Sequence, residues 1–367
     1  MGLRVGIVGL PNVGKSTLLN ALTEAGAEAS NYPFTTIDRN VGVASLPDPR
    51  LELLARKLHP QDVTAATVEF VDIAGLVRGA SRGEGLGNQF LSHIREVDAL
   101  AHVVRCFQDD NVVHIHGAVD PTVDLAVVDT ELLLADLASV ERAQDRARKQ
   151  AKAKPAEARA VIESREEMAA RLRAGEPARG WPSALREALA TAACGPDGLH
   201  LLTDKPVVVV ANVAEDALDG GPWVARIRDS LGTAGEVIPI PVKLEAEMSD
   251  LEPGEREAFL RELGLEERAL NRLVRTSAAL LGLVSFYTIA NEKLRAWHIR
   301  KGTGAAQAAG RIHSDMARGF IRMEVMSCRD LLEHGSRAEL HRLGLIRAEG
   351  KDYEVEDGDV CHILFKV

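Results

Sequence analysis

At 367 residues the chain is long enough for two or three domains and a substantial core. A formal net charge of −10, with 27% charged residues, argues against a bulk nucleic-acid coat and against DNA as a partner, while leaving room for local basic patches. No apolar run approaches the roughly 20 residues needed to cross a bilayer, and the sequence enters a strand within a few residues of its start, so neither membrane insertion nor a signal peptide is expected. The scattered Cys106, Cys194, Cys328 and Cys361 form no Cys-x-x-Cys pair. A disulfide framework or zinc site is therefore not expected, and reduced thiols in the cytoplasm are the simplest account.

Val5, Ile7 and Val8 read as a short buried strand, and Thr17 to Leu22 as a helix. Between them runs Gly9-Leu10-Pro11-Asn12-Val13-Gly14-Lys15-Ser16, the phosphate-loop pattern in its strand-before, helix-after context. The glycines let consecutive N–H groups turn inward onto phosphate oxygens, and the new helix adds the positive end of its dipole. Lys15 supplies a mobile charge for the outer phosphates and Ser16 a hydroxyl ligand for Mg²⁺. Binding of a nucleoside triphosphate follows.

Ser30 to Asp38 (SNYPFTTID) occupies the place of a first switch loop, where a threonine gives Mg²⁺ a hydroxyl and the γ-phosphate an N–H. Thr36 is the better candidate and Thr35 the next. Residues 66–72 form a β-branched strand ending on Asp72, an acid placed to hold a Mg²⁺-bound water, with Gly75 three residues on for the γ-phosphate. Arg78 to Asn88 follows, with four glycines in nine residues, and reads as the second switch. The position after Gly75, where water-attacking switch proteins often carry a glutamine, is Leu76. Leucine neither donates nor accepts, so hydrolysis is expected to be slow or to use another group to place the water. Gln89, His93, His102, His114 and His116 are the nearby candidates. His114 is preferred because it follows the strand Ala99–Arg105, whose carboxyl end should face the phosphates.

Between Asp129 and Arg173 the chain turns rich in Ala, Glu, Arg, Lys and Leu. Leu133, Leu137, Val140, Gln144, Ala147 and Ala151 keep heptad spacing, Lys154-Pro155 interrupts them, and Val161, Met168 and Leu172 mark a returning helix. Two antiparallel helices are predicted. Arg142, Arg146, Arg148, Lys149, Lys152 and Lys154 concentrate positive charge near the tip, either as a solvated face or as an RNA-phosphate contact.

Pro206 to Asn212 is another buried strand, running into Val213-Ala214-Glu215. GTP-binding proteins of this kind carry Asn-Lys-x-Asp here, the aspartate accepting from guanine N1–H and its exocyclic amine. With valine for lysine and a longer glutamate for aspartate, that carboxylate is misplaced for guanine. ATP is therefore favoured, with GTP retained as the alternative. From Leu283 onward a strand pair, a helix over Thr303–Ser314 and an Asp-Gly turn before alternating Val360–Phe365 predict a small α+β, ubiquitin-like fold. It carries no nucleophile–base pair, and Trp297 and Phe320 read as core residues.

GLPNVGKST, NYPFTT, DIAGLVRGASRGEGLGNQFL and NVAE together resemble the YchF-type Obg-like ATPases, and the resemblance continues through PDPRLELL, HVVRCF and RAWHIRKGTGAAQAAGRIHSDMARGFIR. It implies an α/β P-loop NTPase G-domain (1–128 and 199–282) with an inserted α-helical coiled coil (129–198) and a C-terminal α+β ubiquitin-like (β-grasp) TGS domain (283–367). It implies phosphate binding by Asn12, Val13, Gly14, Lys15, Ser16 and Thr17, Mg²⁺ at Ser16 and Thr36, and base contact by Asn212 and Val213. Leu76 after Asp-x-x-Gly is a trait of the family, and ribosomes, through RNA or ribosomal protein, are the implied partner. Asn12 sits where some relatives recruit K⁺, so K⁺ activation is expected. The remaining alternatives are a conventional GTPase and a nucleotide-loaded binding module whose hydrolysis is incidental.

Overall fold

The structure, a computed structural model, describes residues 3–27, 40–73, 86–115, 117–150, 155–195, 198–232 and 235–366. The chain divides into two compact units, residues 1–21, 39–42 and 70–270 in the first and residues 22–38, 43–69 and 271–367 in the second. In chain order the elements to residue 106 are β1 (Arg4–Val8), α1 (Lys15–Ala27), β2 (Val41–Ser45), α2 (Pro49–Leu58), β3 (Asp62–Thr64), β4 (Thr67–Asp72), α3 (Leu86–Glu96) and β5 (Ala99–Cys106). Then come α4 (Pro121–Gln150), α5 (Pro155–Arg173), α6 (Ser183–Cys194), β6 (Val207–Val213), α7 (Gly221–Leu231), β7 (Glu236–Ile240), α8 (Val242–Ser249), α9 (Pro253–Glu262) and α10 (Ala269–Leu280).

A six-stranded sheet in the order β2-β4-β1-β5-β6-β7 carries the nucleotide-binding half. β1 pairs parallel with β5, β5 with β6, and β6 with β7. Every residue of β5 is buried, as expected of a central parallel strand covered on both faces. Because β1, β5 and β6 run the same way, the loops after Val8, Cys106 and Val213 gather at one sheet edge, where open α/β sheets bind ligands.

The helical insert departs from expectation in two ways. Its first helix begins at Pro121, ahead of the predicted boundary at Asp129. Asp120 accepts from Thr122 N (3.1 Å) and Thr122 Oγ1 (2.6 Å), and Pro121 presets the first helical φ, so cap chemistry rather than the heptad fixes the start. Leu125, in that early part of α4, packs with Val104, Cys106 and Ala211 of the sheet. Further along, α4 and α5 run antiparallel, with Arg173 paired to Glu141 (2.6 Å) and Arg165 donating to Ala143 O (2.6 Å). Val140, Ala143, Met168, Ala169 and Leu172 form the narrow seam, with Leu133 and Leu137 half-buried beside it. The second departure is a third layer. Trp181 and α6, through Leu185 and Leu189, close the cluster, supplying the bulk an alanine-rich seam lacks.

The second unit adds β8 (Leu283–Ala290), β9 (Lys293–Arg300), α11 (Ala305–Ile312), α12 (Ser314–Arg318), β10 (Phe320–Ser327), α13 (Cys328–His334), α14 (Arg337–Leu343), β11 (Arg347–Glu349) and β12 (Asp359–Phe365). β8 and β9 form a hairpin through Asn291 (φ 51°) and Glu292 (φ 59°), the left-handed pair that matches strand twist. β12 lies parallel to β8 and antiparallel to β10, in the order β11-β10-β12-β8-β9, which is the β-grasp arrangement. Phe320 is buried and Trp297 packs beside it, as read. Residues 43–69 cluster with this unit, although their ends, in β2 and β4, also pair within the nucleotide-binding sheet. β3 extends the sheet beside β9, and Leu51, Leu54 and Ala66 share a core with Tyr287, Leu294, Met326 and Val360. Arg50 bridges Asp48 (3.0 Å) and Asp357 (2.6 Å), while the Tyr287 hydroxyl donates to Asp48.

Candidate nucleotide-binding site

Three backbone positions shape the loop between β1 and α1. Gly9 sits at φ +151°, where a Cβ would lie 2.4 Å from Val103 O, and Gly14 at φ +99°, where one would lie 2.5 Å from Asn212 Nδ2. Asn12 takes φ 63°, a left-handed conformation that asparagine tolerates. The glycines are thus demanded by close approach of the strands behind the loop as well as by the turn itself. Asn12 Nδ2 donates to Val113 O at 3.2 Å, linking the phosphate loop to the loop after β5.

Lys15 is buried and donates to Leu10 O at 2.8 Å, so the ammonium is folded back over its own loop. Burial pushes its pKa down, and nearby Asp72 opposes that shift. A desolvated ammonium held on a carbonyl of its own loop is poised to trade that carbonyl for phosphate oxygens. Ser16 Oγ donates to Asp72 Oδ2 at 2.7 Å. The other oxygen, Asp72 Oδ1, is buried with no hydrogen-bond partner among the described residues. An orphaned carboxylate oxygen next to a serine hydroxyl is the donor set a hard, oxygen-seeking cation completes, and these two residues fit Mg²⁺.

A cavity of about 720 Å³ opens from the phosphate loop, lined there by Asn12, Gly14, Lys15, Ser16 and Thr17. Phe107, Gln108, Asp109 and Val112 form another wall; Asn212, Val213, Ala214, Glu215, Val242 and Lys243 form the far corner. Asn212 is a tie. Its Nδ2 donates to Val13 O (2.9 Å), and its Oδ1 accepts from Val242 N (3.3 Å), fixing the phosphate loop to the start of α8. Glu215 pairs with Lys243 at 3.1 Å, and that pairing raises the lysine pKa.

Sequence reasoning missed Arg105, Phe107, Asp124, Val242 and Lys243. Arg105 is 2% exposed and donates to the carbonyls of Phe107 (3.1 Å), Asp109 (2.9 Å) and Val112 (2.7 Å), with its guanidinium 4.7 Å from the Phe107 ring. One cation thereby pins the wall of the cavity. The available signal was an arginine inside a mostly apolar strand, HVVRCF. His114 does not line the cavity; its Nε2 faces Asp124 Oδ2 at 3.0 Å with both side chains nearly buried. Of the other candidates, Gln89 is exposed and His93 half-buried on α3. His102 is enclosed in β5 with Nε2 unpartnered, and burial drives its pKa down to about 4. Thr35, Thr36, Gly75, Leu76 and His116 lie outside the described residues. Among the described residues no cluster of three or more His, Cys, Asp or Glu could hold a metal, and no helix is long and apolar enough to cross a membrane.

A mostly parallel sheet, a phosphate loop at its carboxyl edge and a Ser–Asp pair beside the lysine define a P-loop nucleotide-binding protein of the GTPase fold. Residues 4–127 match the family model described as 50S ribosome-binding GTPase, and residues 283–366 match the YchF GTPase C-terminal model, described as a protein of unknown function (DUF933). The chain is similar to the ribosome-binding ATPase YchF of Bacillus subtilis (47% identical, all of both chains covered) and of Escherichia coli O157:H7 (46%, all of both). It is similar in structure to the YchF GTPase of Schizosaccharomyces pombe, with a TM-score of 0.86, 34% identity, and 99% of this chain and 98% of that one covered. The chain belongs to the YchF family.

Proposed function

We propose that this chain is a slow, Mg²⁺-dependent ATPase that works in the cytoplasm as a ribosome-associated switch regulating translation or the response to stress. The carrying observation is the base corner, Asn212-Val213-Ala214-Glu215 with Lys243. Guanine presents two donors that require a free carboxylate, and here the carboxylate is engaged by an ammonium. Adenine presents an acceptor at N1 beside a donor at N6, to which an ammonium and a carboxylate side by side are complementary. The relatives' names, ribosome-binding ATPase, agree with this reading.

Lys15, with the N–H groups of residues 13–17, holds the β- and γ-phosphates; Gly75 adds an N–H to the γ-phosphate and Val213 and Glu215 flank the base. Ser16, Thr36 and Asp72 would hold Mg²⁺, which supplies charge neutralisation at the phosphates. His114, oriented by Asp124, is assigned to place the attacking water that Leu76 cannot. Asn12 is assigned to a K⁺ that stimulates turnover.

Displacement of a fluorescent nucleotide by ATP and by GTP tests the reading. ATP is expected to bind more tightly, and a GTP affinity tenfold above that for ATP overturns the base assignment. Turnover is expected to be faster in K⁺ than in Na⁺ buffer, and His114→Ala to lower kcat with little change in KM. Equal rates in the two buffers remove the K⁺ role, and an unchanged kcat removes the histidine.

A further inference from the structure

The opposite edge of the same sheet carries a second cavity, of about 440 Å³, that shares no lining residue with the nucleotide cavity. Arg95 at the end of α3, Ser139, Arg142 and Arg146 on α4, and His200 and Lys205 ahead of β6 surround it. No Asp or Glu among the described residues lines it, although the chain as a whole carries a net charge of −10. Behind the cavity, burial lowers the Lys205 pKa and the charges of Asp98, Asp136 and Asp204 oppose that shift. Asp136 accepts from Leu202 N and Thr203 N, both at 2.8 Å, and Asp98 and Asp204 border the adjoining cavity, Asp204 beside Arg186 at 3.5 Å.

The cations are arranged rather than scattered. Ser139, Arg142 and Arg146 stand at i, i+3 and i+7 on α4, which places them on one face, and Lys149 continues that face at i+10. At a rise of about 1.5 Å per residue, Arg142 and Lys149 are roughly 10 Å apart along the axis. Arg142 Nη2 donates to Ser139 Oγ at 3.2 Å, laying the side chain along the helix, and Lys205 donates to the carbonyls of Val97 and Arg95 at the end of α3. Arg142, Arg146 and Lys149 are exposed, so meeting an anion requires no prior burial of charge. Guanidinium groups present paired N–H donors that match phosphate oxygens.

We propose that this cavity, with the basic face of α4 leading out of it, binds the phosphodiester backbone of RNA. The inference rests on the ribosome-associated reading above and gives it a surface. A polymer is favoured over a single small anion because exposed Lys149, outside the cavity lining, continues the row of Arg142 and Arg146 along the helix with Asp145 as the one acid between them, and one phosphate in the cavity would leave that lysine unused. The contact is to backbone rather than bases, because no Phe, Tyr or Trp lines the cavity to stack a base.

The test is co-sedimentation of the full chain with purified 70S ribosomes across 50–200 mM KCl, comparing the parent with Arg142→Ala/Arg146→Ala and Arg142→Lys/Arg146→Lys. Both positions are exposed on a helix, so folding should survive, and ATP turnover without ribosomes should be unchanged. The alanine pair is expected to weaken binding at least tenfold and to make the slope of log K against log[KCl] shallower by about 1.5, while the lysine pair keeps most of that slope. Undiminished affinity and slope in the alanine pair overturn this site but leave ribosome association standing. A parent chain that sediments with no ribosomes at any salt overturns both. If inorganic phosphate alone saturates the cavity in calorimetry while ribosome binding ignores the alanine pair, the occupant is a small anion and the RNA assignment falls.

Discussion

Replacing Arg105 by Met removes a guanidinium while keeping most of the side-chain volume inside β5. Three donated bonds disappear, to the carbonyls of Phe107, Asp109 and Val112 at 3.1, 2.9 and 2.7 Å, together with the stack on the Phe107 ring. Charge-assisted bonds contribute about 1.5–3 kcal/mol each, an upper bound here because the freed carbonyls recover water once the loop lifts. Counting each as an ordinary net bond of about 0.5–1.5 kcal/mol puts the loss for three at about 1.5–4.5 kcal/mol. The loop must be re-ordered before Phe107, Gln108, Asp109 and Val112 can wall the cavity, so nucleotide binding bears that cost. Taking about 2–3 kcal/mol as the share, ATP affinity should fall about 30- to 150-fold, at 1.4 kcal/mol per tenfold. The loss should fall on KM more than kcat, as expected when binding is weakened uniformly. Titration with ATP, with hydrogen exchange of amides 107–113 in parallel, measures both halves. A folded Arg105→Met protein binding ATP within threefold of the parent, its loop as protected as before, would refute the argument. Arg105→Lys should lie between, since one ammonium cannot reach three carbonyls in a plane.

Lys15→Ala should weaken ATP binding about 10- to 150-fold, the worth of one charge-assisted phosphate contact, in the same titration; unchanged affinity would detach the loop from the phosphates. Val213→Lys with Glu215→Asp rebuilds the guanine-reading tetrapeptide and should move the ATP-to-GTP preference toward GTP by tenfold or more in competitive displacement. If the ratio stays put, the base is read elsewhere. Stability should fall in acid. Burial lowers His102 and His298 to about 4 each from 6.5, so the folded state binds fewer protons than the unfolded one. Their contribution is complete above pH 6.5 and is lost as pH falls toward 4, by at most about 3 kcal/mol per histidine. Asp136, raised from 3.8 to about 6, acts the other way, adding stability as pH falls from about 6 toward 3.8 and so offsetting part of the loss from the two histidines. Urea midpoints between pH 7 and 4.5 should therefore decline, and His298→Gln should flatten the decline; a flat parent profile would contradict the buried neutral histidines.

Legibility from sequence follows the range over which each residue's role is decided. The phosphate loop was readable because its chemistry is local: Gly9, Gly14, Lys15 and Ser16 act within one turn, and the fixed spacing encodes the backbone path. Asp72 was readable because a strand that ends on an acid is a short-range pattern. The α4–α5 seam was visible through its heptad, but the heptad begins at Leu133 and so concealed a helix start set by Asp120 and Pro121. The core that receives α2 was hidden for a different reason. The apolar positions Leu51 and Leu54 show that α2 buries a face, yet nothing local says which core receives it, and the partners Tyr287, Leu294, Met326 and Val360 lie over two hundred residues away.

Buried polar groups were the hardest class, and the physical reason bears on where function should be sought in chains like this one. Arg105 inside β5, and Glu245 on α8 holding Arg268 at 2.8 Å with both nearly buried, look in sequence like exceptions to an apolar or surface pattern. Glu245 also accepts from Ala269 N at 2.6 Å, closing the start of α10. Each group is tolerable inside only because several partners converge on it, and removing one partner strands a charge at a cost of about 3–5 kcal/mol. A charged residue in an apolar run therefore predicts a buried tie, though not its other end, which lies within seven residues for Arg105 and more than twenty away for Glu245. Arg105 holds a cavity wall and Glu245 a helix junction, and only the folded coordinates of their partners separate the two. The arginine in HVVRCF is accordingly the position where sequence and structure together say most, since its placement alone argues that the loop following it must keep one shape.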